Sequence, residues 1–323
     1  MLRRDFLLSA TSAAAFRSQT EGRWLLDQQS PDGGWHSRTY GLLRSGQSLT
    51  GFVMASLGER GVPASAWQRG LHFLATHTNE DGAVGMTNPT LPDYPNYASA
   101  LALQVNRSAR TLNYLLSRQF SEADGWRESD PAFGAWGMGG DRRTPPDAGH
   151  VDLSMTRHVL EALASSGIQP SNPAMQRARI FLSRCQNEDG GFRFSTVVLD
   201  ANKAGESTSY GTATADGVIS LLAAGADHAR VQAAKAWLLR HHRPDAAPGF
   251  SGEAYGRWPQ GLRFYYAAAS AQAFRLLGLP RDRDQDRLLR AERRRDGGWA
   301  NPEPLVKEDD PLIATGFALS ALR

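Results

Sequence analysis

The sequence predicts an all-α protein, an (α/α)6 toroid of about six helical hairpins with inner and outer rings of helices. Three observations lead there. One Asp-Gly turn recurs along the chain, an amphipathic segment precedes each copy, and an apolar, small-residue segment follows it. The turn reads QSPDGGW at residues 29–35, NEDGAV at 79–84, ADGW at 123–126, QNEDGGF at 186–192, PDAAPGF at 244–250 and RDGGW at 295–299. Its aspartates lie about 43 to 65 residues apart, a spacing typical of solenoids and rings.

The segments ahead of the turns, around 22–26, 70–74, 110–116, 179–182, 236–239 and 287–289, space apolar residues along one helical face. These are the outer helices. Each ends at Asp-Gly because glycine reaches the left-handed conformation of a helix C-cap without steric cost. The segments after the turns, at 49–55, 98–103, 156–163, 213–219, 264–269 and 313–319, are small or apolar on most faces. A helix of that composition touches neighbours on both sides, which makes it an inner one. Closing six such hairpins into a ring also covers the end surfaces that an open solenoid must cap.

Inner helices in this arrangement run parallel, so their N-termini and the long connectors share one mouth. Loops on a rigid scaffold are where sites are built, and the longest connector, 126–150, is expected to fold over the opening. Convergent helix N-termini favour an anionic or strongly polar head group. The apolar inner helices suit a tail.

Residues 21–323 read as a single domain. Residues 1–20 carry Arg3-Arg4, a short apolar stretch and small residues, the layout of a twin-arginine export signal. That predicts a periplasmic or extracellular protein, and a cytoplasmic one if the signal is not read. No run of about 20 apolar residues is present to span a bilayer. The formal charge of +3 gives no nucleic-acid footprint, and the basic stretch 281–295 is interrupted by acids, as on a solvated helix face. Cys185 is the only cysteine, which excludes an intrachain disulfide and a structural zinc site of several thiolates.

Helix, Gln-x3-Gly-x-Trp, helix is the QW repeat of squalene cyclases. Gln29 to Trp35 fits it, and Gln186 to Phe192 fits with Phe in place of Trp. On these residues the chain resembles the terpenoid cyclase and protein prenyltransferase superfamily over nearly its whole length after about Glu21. The resemblance implies a single toroid that binds or processes an isoprenoid or other hydrophobic or amphiphilic small molecule in its central cavity, with no cofactor. Squalene-hopene cyclases protonate an alkene with the central aspartate of Asp-x-Asp-Asp-Thr-Ala. Of the three nearest segments here, Asp152-Leu-Ser154-Met155-Thr156 keeps the leading aspartate and places Ser154 and Met155 where the paired acids belong, residues 208–213 have Tyr210 and Gly211 there, and the third runs from Asp309-Asp310 to Thr315. Prenyltransferases hold zinc with Asp, Cys and His. Cys185 lies on an outer helix away from the mouth, so no metal site is expected.

The residues themselves suggest candidates. Asp216 falls one turn into an inner helix, where an unpaired carboxylate would be costly. It needs a partner, for which His150, Arg263 and Tyr210 are the candidates, and burial would suit it to general-acid work. Asp309 is redundant as a cap beside Asp310, and His150 stands two residues before Asp152, so the catalytic candidates are Asp216, Asp309, His150 and Asp152. Ser48, Asn96, Asp152, Ser209 and Asp310 are also N-cap types, and capping alone would account for them. Tyr210, Tyr265, Tyr266, Trp258 and Trp136, with Arg263, are the ligand-binding candidates. Aromatic faces there could stabilise cations or stack on sugars, or simply pack helices. Two other functions fit the same sequence: a non-catalytic toroid that binds a ligand or partner, and a carbohydrate-active toroid.

Overall fold

The computed structural model describes residues 21–85 and 94–323; the expected export signal lies outside them. In chain order the helices are α1 (21–27), α2 (Gln47–Leu57), α3 (Ala64–Thr76), α4 (Pro95–Val105), α5 (Ala109–Ser117), α6 (Leu153–Ser165), α7 (Pro173–Cys185), α8 (Gly211–Ala223), α9 (His228–His241), the single turn α10 (Trp258–Gly261), α11 (Arg263–Leu276), α12 (Arg283–Ala291) and α13 (Pro311–Leu322). Strands are absent among the described residues apart from three isolated bridges at the turns. α2, α4, α6, α8, α11 and α13 each pack on the next, and α13 returns to α2, so the inner ring closes. The outer helices lean on it, α3 on α2, α5 on α4, α7 on α6 and α8, α9 on α8, and α12 on α13.

The QW turn works as a hydrogen-bond clamp. Gln29 donates to the carbonyls of Gly33 and of Ala66 in α3, and Gln186 donates to those of Gly190 and of Arg230 in α9. One amide thus ties its own turn to the next outer helix. The Trp35 indole donates to the Leu25 carbonyl at 2.6 Å and the Trp299 indole to that of Leu289 at 2.6 Å, ending the outer helix behind them. The backbone amide of the same position donates to a hydroxyl on the following inner helix: Trp35 to Thr50, Val84 to Ser99, Phe192 to Thr214, Trp299 to Thr315. The first turn, with Gln29 and Trp35, is thereby fixed at three points. These bonds satisfy donors held away from water, where an orphan would cost about 1–3 kcal/mol.

These contacts correct the third repeat. The sequence reading placed it at Asp124-Gly125-Trp126, but the clamp is formed by Gln119, Gly134 and Trp136. Gln119 donates to Gly134 and Ala174, the Trp136 indole donates to Leu115 at 2.7 Å, and the Trp136 amide meets Thr156. An insertion between Gln119 and Gly134 carries Trp126 out of register. In the fifth repeat His242 takes the place of the glutamine, joining the Tyr266 hydroxyl at 2.8 Å to Asp282, the N-cap of α12, at 2.6 Å.

Two of the proposed caps hold. Asp152 accepts from the Met155 amide and Asp310 from that of Leu312. The other three do not: α2 is preceded by Gly46, α4 by Tyr94 and α8 by Tyr210. No helix among the described residues is long and apolar enough to cross a membrane.

Candidate active site

Two cavities share the axis of the ring. The larger, about 310 Å³, is lined by the first two turns of the inner helices and by connector residues Leu43, Phe194, Lys203 and Lys307. The other, about 220 Å³, is lined by their later turns, among them Ala55, Gln104, Glu161 and Gln272. The inner N-termini therefore do share one mouth. Phe52, His158 and Phe317 border both cavities and form the partition between them.

Asp216 stands in the wall of the larger cavity and is buried. Its partners differ from those expected. Arg157, from α6, donates Nη1 to Oδ1 at 3.0 Å, and the Tyr265 hydroxyl, from α11, donates to Oδ2 at 2.5 Å. Arg157 is itself held by Gln272 at 2.6 Å and by Glu161, 2.9 Å from its Nε. Ser154 Oγ lies 2.6 Å from the Tyr265 oxygen. Tyr265 has committed its one proton to Asp216, so Ser154 is the donor in that contact. A relay thus runs from Ser154 through Tyr265 to Asp216 and Arg157, across three inner helices.

Burial pushes the Asp216 carboxyl up to about 6, outweighing Arg157 and the Tyr265 hydroxyl, which both pull it down. Burial likewise holds His158 well below the usual imidazole range, with Arg157 adding to the effect, so its ring is neutral. Aromatic rings share the rest of the wall with aliphatic residues such as Leu49, Leu262, Val306 and Ile313. Phe52 meets Phe317 edge-on at 4.9 Å, Tyr265 stacks on Phe317 at 5.0 Å, and Tyr97 meets His158 edge-on at 4.8 Å.

Of the ten predicted site residues, the cavity gathers Asp216, Tyr210 and Tyr265. The others lie elsewhere. His150 turns back to Asp152, 2.9 Å from its Oδ2, which raises the imidazole pKa, and it lines a separate surface cavity of about 150 Å³. Asp152 is spent on that contact and on capping α6. Asp309 accepts a hydrogen bond from the Tyr40 hydroxyl, and Arg263 pairs with Glu292 at 2.9 Å. Tyr266 is committed to His242. Trp136 is fully buried in the third clamp. Trp258 is half-buried behind Lys203. The sequence reading missed Arg157, Ser154, His158 and Lys203. The basic pair Arg157-His158 within an inner helix was the available signal. Cys185 is fully buried, and burial pushes its thiol up to about 12, so no thiolate is available there.

A closed double ring of helices with a cavity on its axis defines the class: an α/α toroid. The profile of the squalene-hopene cyclase C-terminal domain matches residues 98–281, and the chain belongs to that family. The type II terpene cyclase MstE from Scytonema has the same fold. A variant in complex with merosterolic acid A (product) aligns at a TM-score of 0.59 and 14% identity, over 95% of this chain and 96% of that one. The apo enzyme aligns at 0.54 and 14%, over 95% and 97%. A variant in complex with geranylgeranyl dihydroxybenzoate (substrate) aligns at 0.57 and 14%, over 95% and 96%. No curated protein matches the sequence.

Proposed function

We propose that the axial cavity binds an isoprenoid chain and that Asp216 protonates one of its alkenes to begin a cyclisation. The observation that carries this reading is a carboxyl group, poised to titrate near pH 6, in the wall of an aromatic chamber. Proton transfer from Asp216 to an alkene carbon forms a C–H bond and leaves a tertiary carbocation. The carboxylate left behind is stabilised by Arg157 and by the Tyr265 hydroxyl, so both groups make Asp216 a better donor. Phe52, Phe317, Tyr97 and Tyr265 surround the space with ring faces and edges, and faces presented to a cation stabilise it. Attack by an internal alkene closes the ring, and loss of a proton to water gives the neutral product. Reprotonation of Asp216 can follow the Ser154–Tyr265 relay, which also borders the cavity.

Ser154 stands where the family's acid is expected, and Asp216 reaches the same hydrogen-bond chain from a neighbouring inner helix. In this reading the acid has moved by one helix and the chamber has stayed. The type II terpene cyclase neighbours, which bind a geranylgeranyl substrate by description, support the ligand class.

A second reading, binding without turnover, is favoured by one observation: the Arg157 ion pair, which stabilises the charged form of Asp216 at neutral pH. Incubation with farnesol, geranylgeraniol or squalene at pH 5.5, followed by gas chromatography with mass detection, separates the two. A cyclic isomer of unchanged mass that is absent with Asp216→Asn supports the acid role. Tight binding with no isomer from any of the three leaves only the carrier.

A further inference from the structure

The chain carries 36 lysines and arginines, of which only three are lysines: Lys203, Lys235 and Lys307. Two of those three line the axial cavity, and no arginine does. Lys235 lies on outer helix α9. A protein that uses arginine for nearly every cationic task has placed its compact, rotatable ammonium groups at one site.

Lys203 is held in an aromatic corner. Its Nζ lies 3.5 Å from the centroid of Phe194 and 5.9 Å from that of Trp258, and its single hydrogen bond is a long one, 3.3 Å, to the Ala201 carbonyl. No carboxylate stands within ion-pair distance of it among the described residues. Asp152 and Asp216 act on it only from farther off, and burial pulls its amine down to about 8. Apart from that hydrogen bond and the Phe194 and Trp258 rings, its ammonium has no partner among the described residues. Lys307 enters from the connector that leads into α13. It is the only non-glycine residue with positive φ among the described residues, at 65°, where it ends the short turn Pro304–Val306 in the left-handed conformation. Its Nζ lies 5.6 Å from the Tyr40 ring, again without a carboxylate at ion-pair distance.

We propose that Lys203 and Lys307 receive the anionic head group of an amphiphile, a carboxylate or a diphosphate on a prenyl chain, with the tail directed down the axis toward Asp216. This rests on the reading of the cavity as an isoprenoid site. An anion between them would supply the counter-charge that Lys203 lacks, and ammonium groups suit the narrow aromatic corner better than a planar guanidinium, which needs room for its fork.

Calorimetric titration with farnesol, farnesoic acid and farnesyl diphosphate tests this. The wild-type protein binds at least one of the two acids at least tenfold more tightly than the alcohol, and the tighter acid identifies the head group. The double variant Lys203→Met, Lys307→Met loses that preference while its affinity for the alcohol is unchanged, which also shows that its cavity is intact. Binding of farnesol with no preference for either acid overturns the head-group site and leaves the isoprenoid reading standing. A preference that survives in the double variant overturns the assignment to the lysines. Failure of all three ligands to bind removes the isoprenoid reading, and this inference with it.

Discussion

Tyr265 donates its hydroxyl to Oδ2 of Asp216 at 2.5 Å, joining two adjacent inner helices at the wall of the axial cavity. The bond stabilises the charged carboxylate and so opposes the upward pull of burial. Tyr265→Phe removes that donor and leaves Ser154 without its acceptor. We expect the Asp216 carboxyl to titrate higher still, by about one to two units, since hydrogen bonds to charged groups contribute about 1.5–3 kcal/mol. Carbon NMR of labelled aspartate across pH 4–9 measures it. A titration unchanged from wild type would mean that the two side chains do not interact in solution.

Arg157 is in contact with both Asp216 and Glu161. Arg157→Met leaves two largely buried carboxylates without their counter-ion, and breaking a buried pair from one side costs about 3–5 kcal/mol. The loss should be largest at pH 8, where Asp216 is charged, and smaller at pH 5. Adding Asp216→Leu should recover part of it. Urea denaturation of the single and double variants at both pH values gives the comparison, and equal destabilisation at the two would exclude a charge-based origin.

The glycines separate register from conformation. Gly125 and Gly134 both have positive φ, 84° and 86°. A Cβ on Gly125 would have only Pro145 nearby, at 3.8 Å, whereas one on Gly134 would lie 2.0 Å from the Arg177 carbonyl oxygen. Alanine at either position carries the left-handed penalty of about 1–2 kcal/mol. At Gly134 it must also push α7 away from the turn, so we expect Gly134→Ala to cost at least about 2 kcal/mol more than Gly125→Ala. Thermal denaturation of the pair decides whether the true third clamp is the one at Gln119, Gly134 and Trp136. Gly33 packs in the same way, 2.4 Å from the Arg69 carbonyl oxygen, and Gly33→Val should destabilise by more than about 1 kcal/mol.

The rings were legible because periodicity is a local signal. Outer and inner segments differ in composition, and a Gly turn divides each pair. The third clamp was not, since Gln119 and Gly134 are close in space and distant in sequence while Trp126 imitates the motif. Asp216 could be found from its place in an apolar helix, which demands a partner. Which partner could not, because Arg157 is brought to it by the packing of α6 on α8. His150 and Asp309 sit near helix starts, as expected, yet a sequence position gives no side-chain direction. Asp152 and Tyr40 hold them away from the cavity.

The last prediction uses pH to test whether Asp216 is buried as described. Its carboxyl is raised from the ordinary 3.8 to about 6 in the folded protein. Between those values the folded state binds a proton that the unfolded state has released. Stability then falls as pH rises through this window, because the slope follows protons bound unfolded minus folded. Asp216 is least costly below about pH 4, and above about pH 6 its full penalty applies. A shift of roughly two units corresponds to on the order of 3 kcal/mol. An asparagine side chain at this position does not titrate, so Asp216→Asn should gain stability relative to wild type as pH is raised from 4 to 7, whatever its absolute offset from the altered contact with Arg157. Glu308, whose carboxyl burial pushes up to about 7, titrates in both proteins and cancels in the difference. Urea midpoints for the two proteins at half-unit pH steps give the curve directly. A difference that stays flat, or that turns in favour of the wild type with rising pH, would show that the Arg157 ion pair outweighs burial and that Asp216 remains charged throughout, which would also remove it as a proton donor.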